Sequence, residues 1–138
     1  YQDTCARYNV DASVCGKFQA VNINVYNGLS NDFMHSVADR VAFVLEKIPV
    51  LLYNGQLDLI VNSPSASNWI NNLQWSGQQG FYESKLVNWI LPNGTDAGYN
   101  KTYGNLHFNL VNKAGHLAPM DQIVSTVDML NNFIGAAL

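Results

Sequence analysis

The run Val50-Leu51-Leu52-Tyr53, closed by Asn54-Gly55, constrains the fold of this chain more than any other feature. It has no polar face to present to water. Continuous apolarity over so short a length suits a strand buried on both faces, as in a parallel sheet covered by helices. What flanks it agrees. Upstream, Ser30 or Asn31 is placed to cap a helix along which Phe33, Val37, Val41, Val44, Leu45 and Ile48 recur at steps of three and four. Pro49 ends that helix by disfavouring the α region at Ile48.

Downstream, Ser63 to Trp75 reads as a helix with Pro64 near its first turn. Leu86–Leu91 and Ala97–Tyr103 read as strands around the Pro92-Asn93-Gly94 turn, and Leu106–Val111 as the next strand. Ile123, Val127, Leu130 and Ile134 mark a C-terminal helix stopped by Gly135. The order predicts an α/β fold with a helix-covered, mostly parallel sheet over residues 29–138. Residues 1–28 lack a clear period and read as an irregular, partly helical segment. At 138 residues the chain suffices for one domain but falls short of most complete large α/β enzymes, and it reads as the closing half of one. Tyr1 opens directly into polar residues, so no leader peptide is expected here; a cytosolic protein, a mature chain or a fragment would all begin this way.

Composition excludes several functions. Charged residues are only 12% and the net charge is −3, while the chain holds 18 Asn against 7 Lys plus Arg. Scattered basic residues supply no footprint for nucleic acid, and no basic amphipathic stretch offers itself to a membrane. Cys5 and Cys15 lack the paired spacing and His company of a zinc site, so no metal is expected. A disulfide between them would contribute roughly 3 kcal/mol in an oxidising compartment; two thiols that never meet, or that pair elsewhere, remain the alternative. Asn93-Gly94-Thr95 and Asn100-Lys101-Thr102 are glycosylation acceptor sequences in one Gly-rich polar stretch, where a surface loop is expected.

Two loops follow strands of the predicted sheet, where open α/β sheets place their sites. One carries Asp58, the sole carboxylate between Glu46 and Glu83; the other carries Gly115-His116. An Asp after one strand and a His after a later one is the second half of a Ser…Asp…His order. The chemistry needs the pair because the carboxylate fixes the tautomer in which imidazole accepts the nucleophile's proton. Spacing alone leaves other readings open, an Asx-turn for Asp58 and a structural role for His116. His35 and His107 read as structural or solvent-exposed, and Trp69, Trp75, Tyr82, Trp89 and Tyr103 as core and sheet cover.

The wording of the loops goes further. Val50-Leu51-Leu52-Tyr53-Asn54-Gly55-Gln56-Leu57-Asp58-Leu59-Ile60 closely resembles the catalytic-Asp segment of the serine carboxypeptidases. Ala114-Gly115-His116-Leu117-Ala118-Pro119-Met120-Asp121-Gln122 resembles their catalytic-His segment. Leu73-Gln74-Trp75-Ser76-Gly77, Trp89, Ala97-Gly98-Tyr99 and Tyr103-Gly104-Asn105-Leu106 recur in the family's order, so the resemblance covers about residues 31–135.

The resemblance implies the C-terminal part of an α/β-hydrolase, with Asp58 as triad acid and His116 as general base. It implies that Ile60 and Val61 line the pocket for the residue before the scissile bond, and that Leu117 borders the pocket for the departing residue. Val61 stands where many members carry Cys, Gln56 where many carry Asp, and Ile123 where a Pro usually starts the last helix. No Gly-x-Ser-x-Gly elbow occurs anywhere, so the nucleophile is expected in an upstream portion and the chain alone is expected to be inactive.

The implied activity is removal of C-terminal residues from peptide substrates, at acidic pH, in a lysosomal, vacuolar or secreted setting, without cofactor. An acyltransferase relative using the same triad, or a non-catalytic binding module on the same scaffold, is the alternative. A sheet cut through its middle leaves an edge and apolar surface uncovered, which predicts self-association or dependence on the missing N-terminal portion.

Overall fold

In a computed structural model, residues 2–11, 13–15 and 21–137 are described; residues 1, 12 and 16–20 of the expected 1–28 segment lie outside them. The chain divides into two compact units, Tyr1–Ser36 and Val37–Leu138.

The first unit contains helices α1 (Gln2–Arg7) and α2 (Ile23–Gly28). Cys5 and Cys15 are joined by a disulfide with Cα atoms 6.0 Å apart. Asn22 caps α2, its side-chain oxygen accepting the N–H groups of Asn24 and Val25. The expected helix start at Ser30 or Asn31 is corrected here. The Ser30 hydroxyl donates to the Asn27 carbonyl at 2.8 Å rather than accepting from a following turn. The next residues fold into turns, with the Asp32 and Phe33 N–H groups both bonded to the Leu29 carbonyl.

In the second unit, helix α3 spans only Ala38–Leu45, after Val37, which supplies no side-chain cap. Strand β1 (Val50–Gly55) follows, then α4 (Ser63–Asn71), α5 (Gln78–Glu83), β2 (Val87–Ile90), β3 (Asp96–Tyr103), β4 (Leu106–Val111), α6 (Ala118–Asp121) and α7 (Ile123–Ala137). Asn62 caps α4 by accepting from the Ser65 N–H at 3.0 Å, with Pro64 in the first turn where its missing N–H costs nothing.

The strand order is β1-β4-β3-β2. β1 runs parallel to β4 with Val50 opposite Leu106 and Gly55 opposite Val111, while β3 is antiparallel to both β4 and β2. Over these strands the sheet is therefore mixed rather than mostly parallel. Short turns force this, since a chain that reverses within a few residues can only pair antiparallel. Gly104, at φ 51°, makes the tight turn between β3 and β4.

Helices pack on both faces of the sheet, but the expected full burial of β1 is not reached: Val50, Leu51 and Leu52 are half-buried and Tyr53 is exposed. On one face Leu106 and Phe108 pack with Leu45 of α3, Ile70 of α4 and Phe81 of α5, joined by Val50 and Leu52. On the other, Val111, Trp89 and Ala97 pack with Met129 of α7, joined by Leu51. Each fully buried large apolar side chain among these, such as Leu45, Phe81 or Leu106, contributes roughly 1.5–3 kcal/mol.

Helix α7 turns the residues that marked it in the sequence away from the sheet. Ile123, Val127, Leu130 and Ile134 point outward and are about half exposed or more. The inward stripe is Ser125, Met129 and Phe133, and Asp128 accepts the Trp89 indole N–H at 2.8 Å. That bond fixes the rotation. Gly135 does not stop the helix, which continues to Ala137.

Candidate active site

β1 ends in Asn54 and Gly55, both buried. A Cβ on Gly55 would strike the carbonyl oxygens of Ala114 and Gly115, so only glycine lets the two loops approach. Beyond this point the loops are stitched together. The Gln56 N–H bonds the Val111 carbonyl at 2.9 Å and the Leu57 N–H bonds the Ala114 carbonyl at 2.8 Å. In return the Lys113 N–H donates to Gln56 Oε1 at 3.2 Å. Lys113 holds φ at 57°, an uncommon conformation for a residue with a side chain, and the chain turns there toward His116. The Gly115 N–H is then received by Asp121 Oδ2 at 2.7 Å.

The outcome is a close acid–imidazole pair. Asp58 Oδ2 lies 2.8 Å from His116 Nδ1, although 58 positions separate them in sequence. Asp58 Oδ1 accepts the N–H groups of Ile60 at 3.0 Å and Val61 at 2.9 Å. The Asp58 side chain is 6% exposed and that of His116 61%. The hydrogen bond to His116 holds the Asp58 carboxyl below its ordinary value of 3.8, partial burial works against it, and the Val61 and Ile60 N–H groups support it. An ionised carboxylate only accepts, so the shared proton belongs to Nδ1 and Nε2 is left as an acceptor. That tautomer is the one able to take a proton from a nucleophile.

Ile60, Val61 and Leu117 lie on the two loops and are all more than half exposed, as are Leu59 and Met120 beside them. Val61 also lines an apolar cleft of about 320 Å³ with Leu52, Tyr53, Trp69, Ile70 and Phe108. Sequence reasoning missed Asn54, whose side-chain amide bonds the Val61 carbonyl, and Asp121, which holds Gly115. The only signal for either was its place inside a motif. His107 is elsewhere, its ring edge-on to Phe133 at 5.2 Å and its pKa lowered by burial. His35 lies 3.6 Å from Asp32. Among the described residues no group of three or more His, Cys, Asp or Glu is placed to hold a metal ion.

The two acceptor asparagines part company. Asn93 is exposed in the β2–β3 turn, whereas Asn100 is inside β3, opposite Val87 and Asn109. The expectation of one surface loop for both is thus corrected: the antiparallel ladder extends through the second sequon.

Compared with known proteins, residues 6–136 match the sequence family described as serine carboxypeptidase. The chain belongs to the serine carboxypeptidase family. Serine carboxypeptidase-like 47 of Arabidopsis thaliana is 36% identical over 123 residues, covering 88% of this chain. Carboxypeptidase Y of Schizosaccharomyces pombe is 36% identical over 118 residues, 84% of this chain and 12% of the relative. The crystal structure of Kex1(delta)p, a prohormone-processing carboxypeptidase from Saccharomyces cerevisiae, superposes with a TM-score of 0.75 at 27% identity, covering 86% of this chain and 26% of that one. This serine carboxypeptidase chain carries the corresponding part of the α/β-hydrolase fold. It spans about a quarter of the Arabidopsis relative, 24% of its length.

Proposed function

We propose that Asp58 and His116 are the acid and the base of a Ser–His–Asp triad in a serine-type carboxypeptidase, completed by a serine outside these 138 residues. The observation that carries this reading is the 2.8 Å bond from Asp58 to Nδ1, which leaves Nε2 as the accepting nitrogen. His116 takes the serine proton as the serine attacks the carbonyl of a peptide's last bond, then returns it to the departing amine. Asp58 keeps the imidazole oriented and stabilises the imidazolium. Ile60 and Val61 contact the residue before the scissile bond, and Leu117 the departing residue. The position of these apolar side chains on the same two loops as the pair supports this.

Alone, the chain is inactive for want of a nucleophile. The unpaired edge of β1 and the outward stripe of α7 are completed by upstream residues, or by self-association when those are absent. The Cys5–Cys15 disulfide supports a secretory route, with the enzyme secreted or held in a vacuole or lysosome. Among the described residues no helix is long and apolar enough to cross a membrane.

The test is hydrolysis of a blocked dipeptide with a free C-terminal carboxylate by the full-length protein. Asp58→Asn should lower kcat by about 10⁴ and His116→Ala by about 10⁶, with substrate binding retained. Full-rate hydrolysis by either variant would remove the residue it replaces from the mechanism.

A further inference from the structure

We propose that Asn93 is an attachment site for an N-linked oligosaccharide and that Asn100, despite an equally good sequence, stays bare in the folded protein. Both sequons have Thr at the third position, and the fold puts them in different settings. Asn93 is exposed in the turn joining β2 and β3, with Pro92, Gly94 and Thr95 exposed around it. The turn is closed beneath it by the Leu91 N–H on the Thr95 carbonyl at 2.9 Å and the Gly94 N–H on the Leu91 carbonyl at 2.8 Å. A Cβ placed on Gly94 meets nothing within 4 Å, so the space over the turn is open. Asn93 Oδ1 accepts the Thr95 N–H at 3.0 Å, which draws the carboxamide and the Thr95 residue of the sequon together.

Asn100 has less access and less room than Asn93, being half-buried in a strand, although Thr102 beside it is exposed. Its backbone is held in a ladder on both sides, since β3 lies between β2 and β4. Its side chain lines a cleft of only about 90 Å³ between the sheet and α7, shared with Trp89, His107, Asn109 and Phe133. Thr102, the hydroxyl residue of this sequon, lines the same cleft, with Oγ1 3.4 Å from His107 Nδ1. A hexosamine on Asn100 would have to share this cleft with Met129, Asn132 and Phe133 of α7.

The transfer at Asn93 joins its Nδ2 to the anomeric carbon of an oligosaccharide carried on a polyprenyl pyrophosphate. The bond from that carbon to the pyrophosphate oxygen breaks, the lipid pyrophosphate leaves with the electron pair, and the amide nitrogen gives up one proton. This needs entry to the secretory lumen but not the peptidase reading.

The experiment is glycopeptide mass spectrometry on the full-length protein, expressed in a eukaryotic host with a secretory leader supplied and recovered folded from the medium. Supplying the leader separates acceptor choice from the protein's own localisation. The expected result is sugar on the Asn93 peptide in the bulk of molecules and an unmodified Asn100 peptide. Asn93→Gln should then abolish the endoglycosidase-sensitive mobility shift attributable to this region, while Asn100→Gln leaves it unchanged. A bare Asn93, or comparable occupancy of Asn100 in folded secreted protein, overturns the proposal. Because both sites are read in the wild-type chain, the answer does not depend on either variant folding.

Discussion

The buried side-chain amide of Asn54 donates to the Val61 carbonyl at 2.8 Å, tying together the two ends of the loop that carries Asp58. Asp58 itself receives the Val61 N–H, so one residue is held from both sides. Replacing Asn54 with Leu removes that bond at a part-buried position. In the full-length protein we expect a loss of about 1 kcal/mol, read as a lower urea midpoint at constant slope. Displacement of Asp58 should lower kcat by up to roughly a hundredfold with KM little changed. An unaltered midpoint would show that the bond holds nothing.

Gly55 is the point at which the two loops touch. Gly55→Ala must push the Ala114 and Gly115 carbonyls away, and His116 follows them directly. Overpacking of this kind costs about 1–3 kcal/mol. The expected signature is loss of activity out of proportion to loss of fold. Wild-type turnover by a correctly folded Gly55→Ala protein would sink it.

The Asp58 carboxyl is held below its ordinary 3.8 by the folded structure, chiefly through His116. As pH falls, the unfolded chain therefore takes up this proton first, and the native state is penalised. The contribution is fully present above the unfolded value and disappears as pH drops through the folded one. Urea midpoints of the wild type should accordingly decline more steeply below about pH 4 than those of Asp58→Asn. Parallel curves would mean that Asp58 adds no pH-dependent stability.

The disulfide between Cys5 and Cys15 closes a short loop in the first unit. Reduction should release roughly 3 kcal/mol of constraint on the unfolded segment and speed proteolytic cutting within it. Mapping cleavage sites with and without reductant checks this. Identical cutting under both conditions would assign the bridge no stabilising part.

Much of the fold was legible because its signals are local. Pro49, Asn54-Gly55 and the Pro92-Asn93-Gly94 turn punctuate the chain, and the apolar run of β1 announced cover on both sides. Asp58 and His116, which the fold brings within 2.8 Å, were legible as motif positions, since each sits in a loop whose wording is distinctive. What was not legible depends on which of several partners wins. Ile123, Val127, Leu130 and Ile134 share a helix face, but periodicity says only that they are together, not which way they point; the Trp89–Asp128 bond decides. Ser30 is a good cap by type, yet its hydroxyl goes to Asn27. Asn100 drew two readings, a strand over Ala97–Tyr103 and a sequon in a surface loop, and ladder bonds from two neighbours decide for the strand.

The strands bearing Asp58 and His116 are neighbours in the sheet but distant in the chain, with α4, α5, β2 and β3 all between them. β4 meets β3 through a tight turn, an event of about 1–10 μs, whereas the parallel ladder with β1 must close a far longer loop and is intrinsically slow. The acid and the base therefore first face each other late in folding. A chain halted earlier, with hairpins formed and β1 still undocked, holds an imidazole without its carboxylate. The pairing of these two side chains thus depends on the longest-range strand contact in the sheet.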